Sequence, residues 1–251
     1  MHYVQDNQPS GVPPLALTGE RTLPDVPEEN YWFRRHLAVY EWIAERCDRL
    51  RVADLACGEG YGANVLAQRA ADVVGVDANP EAHEHARLRY QRPNLRFERA
   101  LVEDFAGPCN AVVFLQTIEH IHEPGRLCEH IASYAPLAYI STPNRLKLAP
   151  PGAEKSDNPW HLREYTLGEY RALLEPHFSR VEILGVFHAR RLRVHERAIA
   201  LGWDRAHSAL RITKPFYDRF VPALRGRDFA LRPGPPAPLH RALDFVAVLR
   251  P

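Results

Sequence analysis

Two periods of apolar residues alternate along this chain, and they set its layout. From Asn30 to Leu50, Trp32, Phe33, Leu37, Tyr40 and Ile43 recur at helical spacing, with Arg34, Arg35, Glu41 and Glu45 off the stripe. Short apolar runs then alternate with helical patterns: strands over 51–56, 72–77, 95–100, 111–116 and 137–142, and helices over 61–70, 80–91 and 124–134. Continuous apolar strands separated by helices predict βαβ units, a parallel sheet and helices on both faces. A Pro/Gly/Asn-rich loop leads to a helix over 166–174 with Thr166 as its N-cap, then strands over 179–187 and 243–249. About fifty helically patterned residues separate those two strands and are expected to cap the substrate side. Residues 233–238 are rich in proline and read as an extended connector.

The expected organisation is therefore a loose, polar, proline-punctuated arm over 1–18 and a core with an N-terminal helix over 19–187. A helical cap over 188–240 and a final core strand over 241–251 complete it. No apolar run approaches the roughly 20 residues that span a bilayer, and the start lacks a secretory h-region, so a cytoplasmic protein without a membrane partner is expected. Cys47, Cys57, Cys109 and Cys128 form no C-x-x-C pair, which argues against a zinc knuckle or disulfide framework.

The net charge of +1 hides an asymmetry. Residues 187–251 hold 13 Arg/Lys against 5 Asp/Glu, while the rest holds 19 against 26. A basic segment suits nucleic acid, an anionic membrane or an anionic substrate. Here the arginines are scattered singly among apolar residues, which favours a solvated helical face.

The richest stretch is Asp54-Leu55-Ala56-Cys57-Gly58-Glu59-Gly60-Tyr61-Gly62-Ala63. A glycine turn from strand to helix brings backbone N–H groups close to a ligand. Asp77, nineteen residues after Gly58, ends the next strand, where a carboxylate accepts both hydroxyls of a ribose. Gly58-x-Gly60-x-x-Ala63 also satisfies the dinucleotide pattern, which keeps an NAD-dependent oxidoreductase as an alternative. An anion at Asp54 would repel a pyrophosphate and favour a cationic ligand. Further on, Glu119 and His120 follow one strand and His161 follows the next. One carboxylate and two imidazoles suit a divalent cation, and the histidines, His122 included, also suit general-base chemistry.

The glycine stretch, the strand VVGVDANP and Ser141-Thr142-Pro143-Asn144 resemble class I S-adenosylmethionine-dependent methyltransferases. The resemblance implies a Rossmann-like seven-stranded α/β sheet with S-adenosylmethionine as cofactor. It implies a cofactor wall of Asp54, Ala56, Cys57, Gly58, Gly60, Tyr61, Asp77, Ala78, Leu101, Val102, Leu115 and Gln116. Arg35 and His36 on the N-terminal helix either close over the cofactor carboxylate or dock that helix on the body. Family members often carry Asp where Leu101 stands, and an L-x-P-G-G turn is replaced here by SYAPLAY. Gln116-Thr117-Ile118-Glu119-His120 with distant His161 resembles the E-x-x-E-H set of metal-dependent small-RNA 2′-O-methyltransferases and of ubiquinone-pathway O-methyltransferases, Gln116 replacing the first glutamate. That resemblance implies Mg²⁺ or Mn²⁺ on Glu119, His120, His161 and Gln116, with Glu119, His120 and His161 catalytic. The run from Gly19 through Tyr31, Trp32, Arg35 and His36, and the later His195, Glu196, Trp203, Asp204 and His207, are similar to actinobacterial sugar methyltransferases. O-methylation of a sugar or glycoside is thus the expected activity, with Tyr31, Trp32, Trp160 and Trp203 as candidate stacking faces. An RNA 2′-O-methyltransferase or a small-molecule O/N-methyltransferase is the alternative. The expected partner is a small-molecule or oligosaccharide acceptor rather than nucleic acid, and a homodimer is allowed.

Overall fold

The computed structural model describes residues 3–251. Its first half alternates α1 (Asn30–Ala44), β1 (Arg51–Leu55), α2 (Tyr61–Leu66), β2 (Asp72–Val76), α3 (Pro80–Arg89), β3 (Leu95–Glu98), β4 (Ala111–Leu115), α4 (Pro124–Tyr134) and β5 (Ala138–Pro143). It continues through α5 (Arg145–Leu148), α6 (Leu167–Leu174), β6 (Arg180–His188), α7 (Arg190–Ala200), α8 (Trp203–Ala209), α9 (Thr213–Phe220), β7 (Phe229–Pro233), α10 (Pro236–Leu239) and β8 (Asp244–Arg250).

The strands form one sheet in the order β3-β2-β1-β4-β5-β8-β6-β7. β1 to β5 pair in parallel, whereas β8 runs antiparallel to both β5 and β6. β4 and β5 are buried at every position, which is why their sequence reads as unbroken apolar runs. Ile140, Phe114, Ile131, Tyr170 and Phe245 fill one side of the sheet, and Val113, Val246, Ile43 and Leu66 the other. Local chemistry places the helices. Asn79 caps α3 by accepting from the Glu81 and Ala82 N–H groups, and Thr166 with Glu169 forms a capping box on α6. The chain order reverses between β1 and β4, the crevice where ligands of such sheets bind.

The fold differs from the sequence expectation in four places. The sheet has eight strands, not seven, because Phe229–Pro233 adds β7 antiparallel to β6. The 188–240 segment is accordingly not helical throughout: α7 to α9 fill its first part, and β7 follows before α10. The proline-rich stretch divides between the end of β7 and the short helix α10, so it is no simple extended connector. Residues 3–18 are packed rather than loose. Leu15 is buried with Leu23 and Val26, Val4 bridges Ala16, and the Gln5 amide donates to Glu59 Oε1 at 3.2 Å. Residues 1 and 2 of the expected arm lie outside the described residues. No helix among the described residues is long and apolar enough to cross a membrane.

Candidate active site

A cavity of about 720 Å³ opens at the carboxyl ends of β1, β2, β4 and β5. Ala56 to Glu59, Asp77 and Leu115 to Thr117 form its floor, and Gly19 to Thr22 and Ser156 to Leu162 its roof. Two hydrogen bonds join the roof segments: Trp160 Nε1 donates to Thr18 O at 3.2 Å, and Asn158 Nδ2 to Gly19 O at 3.4 Å. Ala56 and Gln116 leave their adjacent strands with φ of 53° and 52°. A left-handed conformation costs a residue with a Cβ about 1–2 kcal/mol, and two such residues facing one cavity mark a functional turn.

The glycines divide the work of the first turn. Gly60 has φ of 95°, and a Cβ there would come within 2.7 Å of Ala86 Cβ, so no other residue fits between the turn and α3. A Cβ on Gly62 would lie 2.1 Å from the Tyr40 ring, so this glycine lets α2 approach α1. Gly58 lines the cavity, and its N–H donates to Asp77 Oδ2 at 2.7 Å while the Asn79 N–H donates to Oδ1 at 2.9 Å. These two bonds orient the Asp77 carboxylate toward the cavity with lone pairs to spare for a diol.

Asp54 sits behind this wall, fully buried, accepting from the Tyr40 hydroxyl at 3.1 Å while its Oδ2 has no partner. Burial pushes its carboxyl up to about 8. An unpaired buried acid beside the turn favours a cation in the cavity.

At the other end, Glu119, His120 and His161 bring one ligand atom each within 4.8 Å of one another. His120 Nδ1 lies 2.8 Å from Trp160 O, and His161 Nδ1 lies 2.6 Å from Glu164 Oε1. Each Nδ1 is therefore the donor, which leaves each Nε2 as an acceptor or metal ligand. Asn158 Nδ2 donates to His161 Nε2 at 3.1 Å, a lone pair that a cation would take over from this amide. The Thr142 hydroxyl donates to Glu119 Oε2 at 3.1 Å, and burial raises the Glu119 carboxyl to about 8. Burial also lowers the His120 imidazole. Two imidazoles facing an acid that resists ionisation form a donor set that a divalent cation would complete.

Other sequence candidates fall differently. Ala56, Cys57, Gly58, Tyr61, Asp77, Leu115 and Gln116 line the cavity, whereas Ala78, Leu101 and Val102 are not part of its wall. Gln116 turns its amide nitrogen to Ser141 Oγ at 3.0 Å. Arg35 is not free to close over a cofactor carboxylate: its guanidinium is buried, paired with Asp244 and donating to Leu243 O at 2.8 Å. That pair clamps α1 to the start of β8, and removing either partner would cost about 3–5 kcal/mol. Trp32 and Trp160 line the cavity, but Tyr31 is bonded to His188 Nε2 and Trp203 packs on His207 and Phe216. The expected substrate cap contributes nothing: among the described residues, none from 188–240 lines the cavity.

Sequence reasoning missed Arg21. It is the one arginine or lysine among the described lining residues, in a wall that also holds Glu20, Glu29, Glu59, Asp77 and Glu119. Its Cβ lies 3.8 Å from where a Gly58 Cβ would stand, its side chain is only 14% exposed, and its ion-pair partner is its own neighbour Glu20. The sequence hint was a lone cation in an acidic stretch just ahead of α1.

Comparison with known proteins agrees with this geometry. A family model described as a methyltransferase domain matches residues 28–196. A Mycolicibacterium smegmatis protein named as a probable S-adenosylmethionine-dependent methyltransferase is 36% identical over 246 residues, covering 93% of this chain and 94% of the relative. A Mycobacterium tuberculosis protein with the same kind of name is 39% identical over 203 residues, covering 76% of this chain and 73% of the relative. Among solved structures, a Thermotoga maritima S-adenosylmethionine-dependent methyltransferase, described as a possible histamine N-methyltransferase, superposes with a TM-score of 0.56 at 14% identity. It covers 89% of this chain and 94% of that one, a likeness of fold.

Proposed function

This chain belongs to the class I S-adenosylmethionine-dependent methyltransferases, and from that premise we propose that it methylates a hydroxyl of a sugar or glycoside with help from Mg²⁺ or Mn²⁺. Membership sets aside the oxidoreductase alternative. The observation that carries the proposal is the Glu119, His120 and His161 cluster in the same cavity as the glycine turn.

S-adenosylmethionine supplies an electrophilic methyl on a sulfonium. Asp77, held by the Gly58 and Asn79 N–H groups, accepts the ribose hydroxyls. Arg21 takes the methionine carboxylate, and Asp54 favours the cationic part of the molecule from behind the wall. Over the transferring end, two hydrogen bonds tie the chain around Thr18 and Gly19 to the Asn158 and Trp160 loop.

A sugar hydroxyl holds its proton far above neutral pH, so attack on the methyl needs the developing alkoxide stabilised. Glu119, His120 and His161 would hold a cation that supplies Lewis acidity there. Glu164 fixes the His161 tautomer and Trp160 O that of His120, so both rings keep one orientation. Trp32 and Trp160 offer flat faces to a pyranose. A nucleic-acid acceptor has less support, since five acids and a single guanidinium line the cavity.

The test is methyl transfer from labelled cofactor to a panel of mono- and oligosaccharides, before and after chelation. Chelator should lower the rate about 100-fold, Mn²⁺ should restore it, and anomalous scattering should place Mn²⁺ between Glu119 and His161. Full activity in chelator with no anomalous peak would remove the metal, and a panel without any methylated sugar would remove the acceptor class.

A further inference from the structure

The segment 188–240 lines no part of the cavity among the described residues, yet it carries much of the chain's basic excess. Its first helix is two-faced. Leu192, His195 and Ile199 turn inward, with the His195 ring stacked on Phe216 and Phe220 of α9 at 5.9 and 4.6 Å between centroids. Arg190, Arg193, Val194, Arg197 and Leu201 follow the spacing i, i+3, i+4, i+7 and i+11, so they share the opposite face, and all are exposed. Leu201 is 89% exposed and Val194 60%. The turn between α8 and α9 adds Leu210 at 66%, Arg211 and Ile212.

Most acids of this segment are engaged elsewhere, and among the described residues Asp204 at the start of α8 pairs with none of its arginines. Glu196 is taken by His188, Asp218 by Lys214 and Asp228 by Arg191. Among the described residues, Arg190, Arg193, Arg197, Arg205 and Arg211 have no ion-pair partner, and each is exposed. Aliphatic tips flanked by unpaired guanidinium groups meet the two demands of an anionic lipid surface, apolar insertion and attraction to head groups.

We propose that the α7 to α9 segment docks this enzyme on an anionic phospholipid bilayer, with Leu201, Leu210, Val194 and Ile212 entering the interface and the arginines meeting head groups. This revises the expectation of no membrane partner. A second copy fits poorly, because a two-fold contact through this face would press one copy's unpaired arginines against the same basic patch of the other. An RNA fits poorly too. Phosphate gives exposed leucines nothing to bury in, and the aromatic rings that could stack on bases are packed among themselves, Trp203 and Phe216 at 5.7 Å.

The test is sedimentation of the full-length protein with vesicles of mixed phosphatidylglycerol and phosphatidylcholine, against phosphatidylcholine alone. Binding should be about tenfold or more tighter to the anionic vesicles and weaken as salt rises. The double variant L201D/L210D should bind about tenfold more weakly, and R193E/R197E about 100-fold, while both bind S-adenosylhomocysteine as the parent does. Equal binding to both vesicle types, or variants that bind like the parent, would overturn the proposal. So would absence of vesicle binding, in which case an RNA complex sensitive only to R193E/R197E or a dimer that L201D/L210D dissolves would name the other occupant. The cofactor measurement separates this result from the methyltransferase reading, because vesicle binding can fail while cofactor binding stands.

Discussion

The cavity wall and the α7 to α9 segment use charge in opposite ways. Around the cavity, the acids are half-buried or buried and engaged: Asp77 by two backbone N–H groups, Glu119 by Thr142, Glu164 by His161 and Ser156, and Glu59 by Gln5, His85, Tyr90 and Arg89. In the cap, guanidinium groups stand in water beside exposed leucines. A buried acid held by dipoles selects a small ligand, because it offers direction and is shielded from salt. An exposed cation offers only attraction, which suits an extended surface. The two regions should therefore respond separately to substitution, and the following expectations test that separation in descending size.

The largest effect belongs to Asp77→Ala. It removes the carboxylate that two backbone N–H groups orient, and with it two charge-assisted bonds to a ribose worth about 1.5–3 kcal/mol each. Affinity for S-adenosylhomocysteine should fall about 100-fold or more by calorimetry, with vesicle binding unchanged. A loss below about tenfold would mean that the ribose lies elsewhere in the cavity.

Arg21→Ala comes next. A single charge-assisted contact predicts a loss of about 10- to 100-fold for S-adenosylhomocysteine. The loss should vanish for 5′-methylthioadenosine, which lacks the carboxylate. Equal losses for both ligands would make Arg21 a roof support and leave the cavity's anion site unassigned. The contrast with Arg35 is instructive. Its place in the N-terminal run left Arg35 between holding a cofactor carboxylate and docking its helix, and its partner Asp244 stands 209 residues away, a pairing no local spacing reveals. The turn itself, Asp77, Glu119 and His120 were readable because each follows a strand whose apolar run fixes where it ends, whereas His161 sits in the loop well after β5 and was found by its residue type. β7 was not: an edge strand paired on one side only carries weak alternation, and FALRP ends in proline. Residues 3–18 hid their packing for a similar reason, since Val12 and Leu15 are isolated apolar positions without a period.

A smaller effect concerns protons. Asp54 moves from an ordinary 3.8 to about 8 on burial, so the folded protein holds this proton more tightly than the unfolded chain. Its contribution to stability is complete below about pH 4 and drains away as pH rises to about 8. A cationic ligand placed in the cavity draws the carboxyl back toward ionisation. Binding of S-adenosylmethionine near pH 7 should thus release a fraction of a proton, measurable by calorimetry in buffers of different ionisation enthalpy. Asp54→Asn should reduce that release and flatten the fall in melting temperature between pH 6 and pH 8. Glu119 and Glu29, raised by burial to about 8 and about 7, keep the release from reaching zero. An unchanged release in Asp54→Asn would assign the whole effect to those two glutamates.

The smallest expected change is the one that separates the regions most sharply. R193E/R197E reverses two exposed charges on a helix that contributes no lining residue to the cavity. At physiological salt an exposed charge is screened over about 8 Å, so the affinity for S-adenosylhomocysteine should move by less than about twofold. The rate of methyl transfer to a soluble acceptor should be equally indifferent. If that rate fell while cofactor affinity held, the cap would act on the acceptor, as its sequence first suggested, and the surface would serve an anionic substrate and not a bilayer. If cofactor affinity itself fell, the division between an engaged acidic cavity and a free basic face would be wrong. The buried ladder of β6 and β8 would then be the coupling route to examine, since it joins the root of α7 to Asp244 and, through Arg35, to α1.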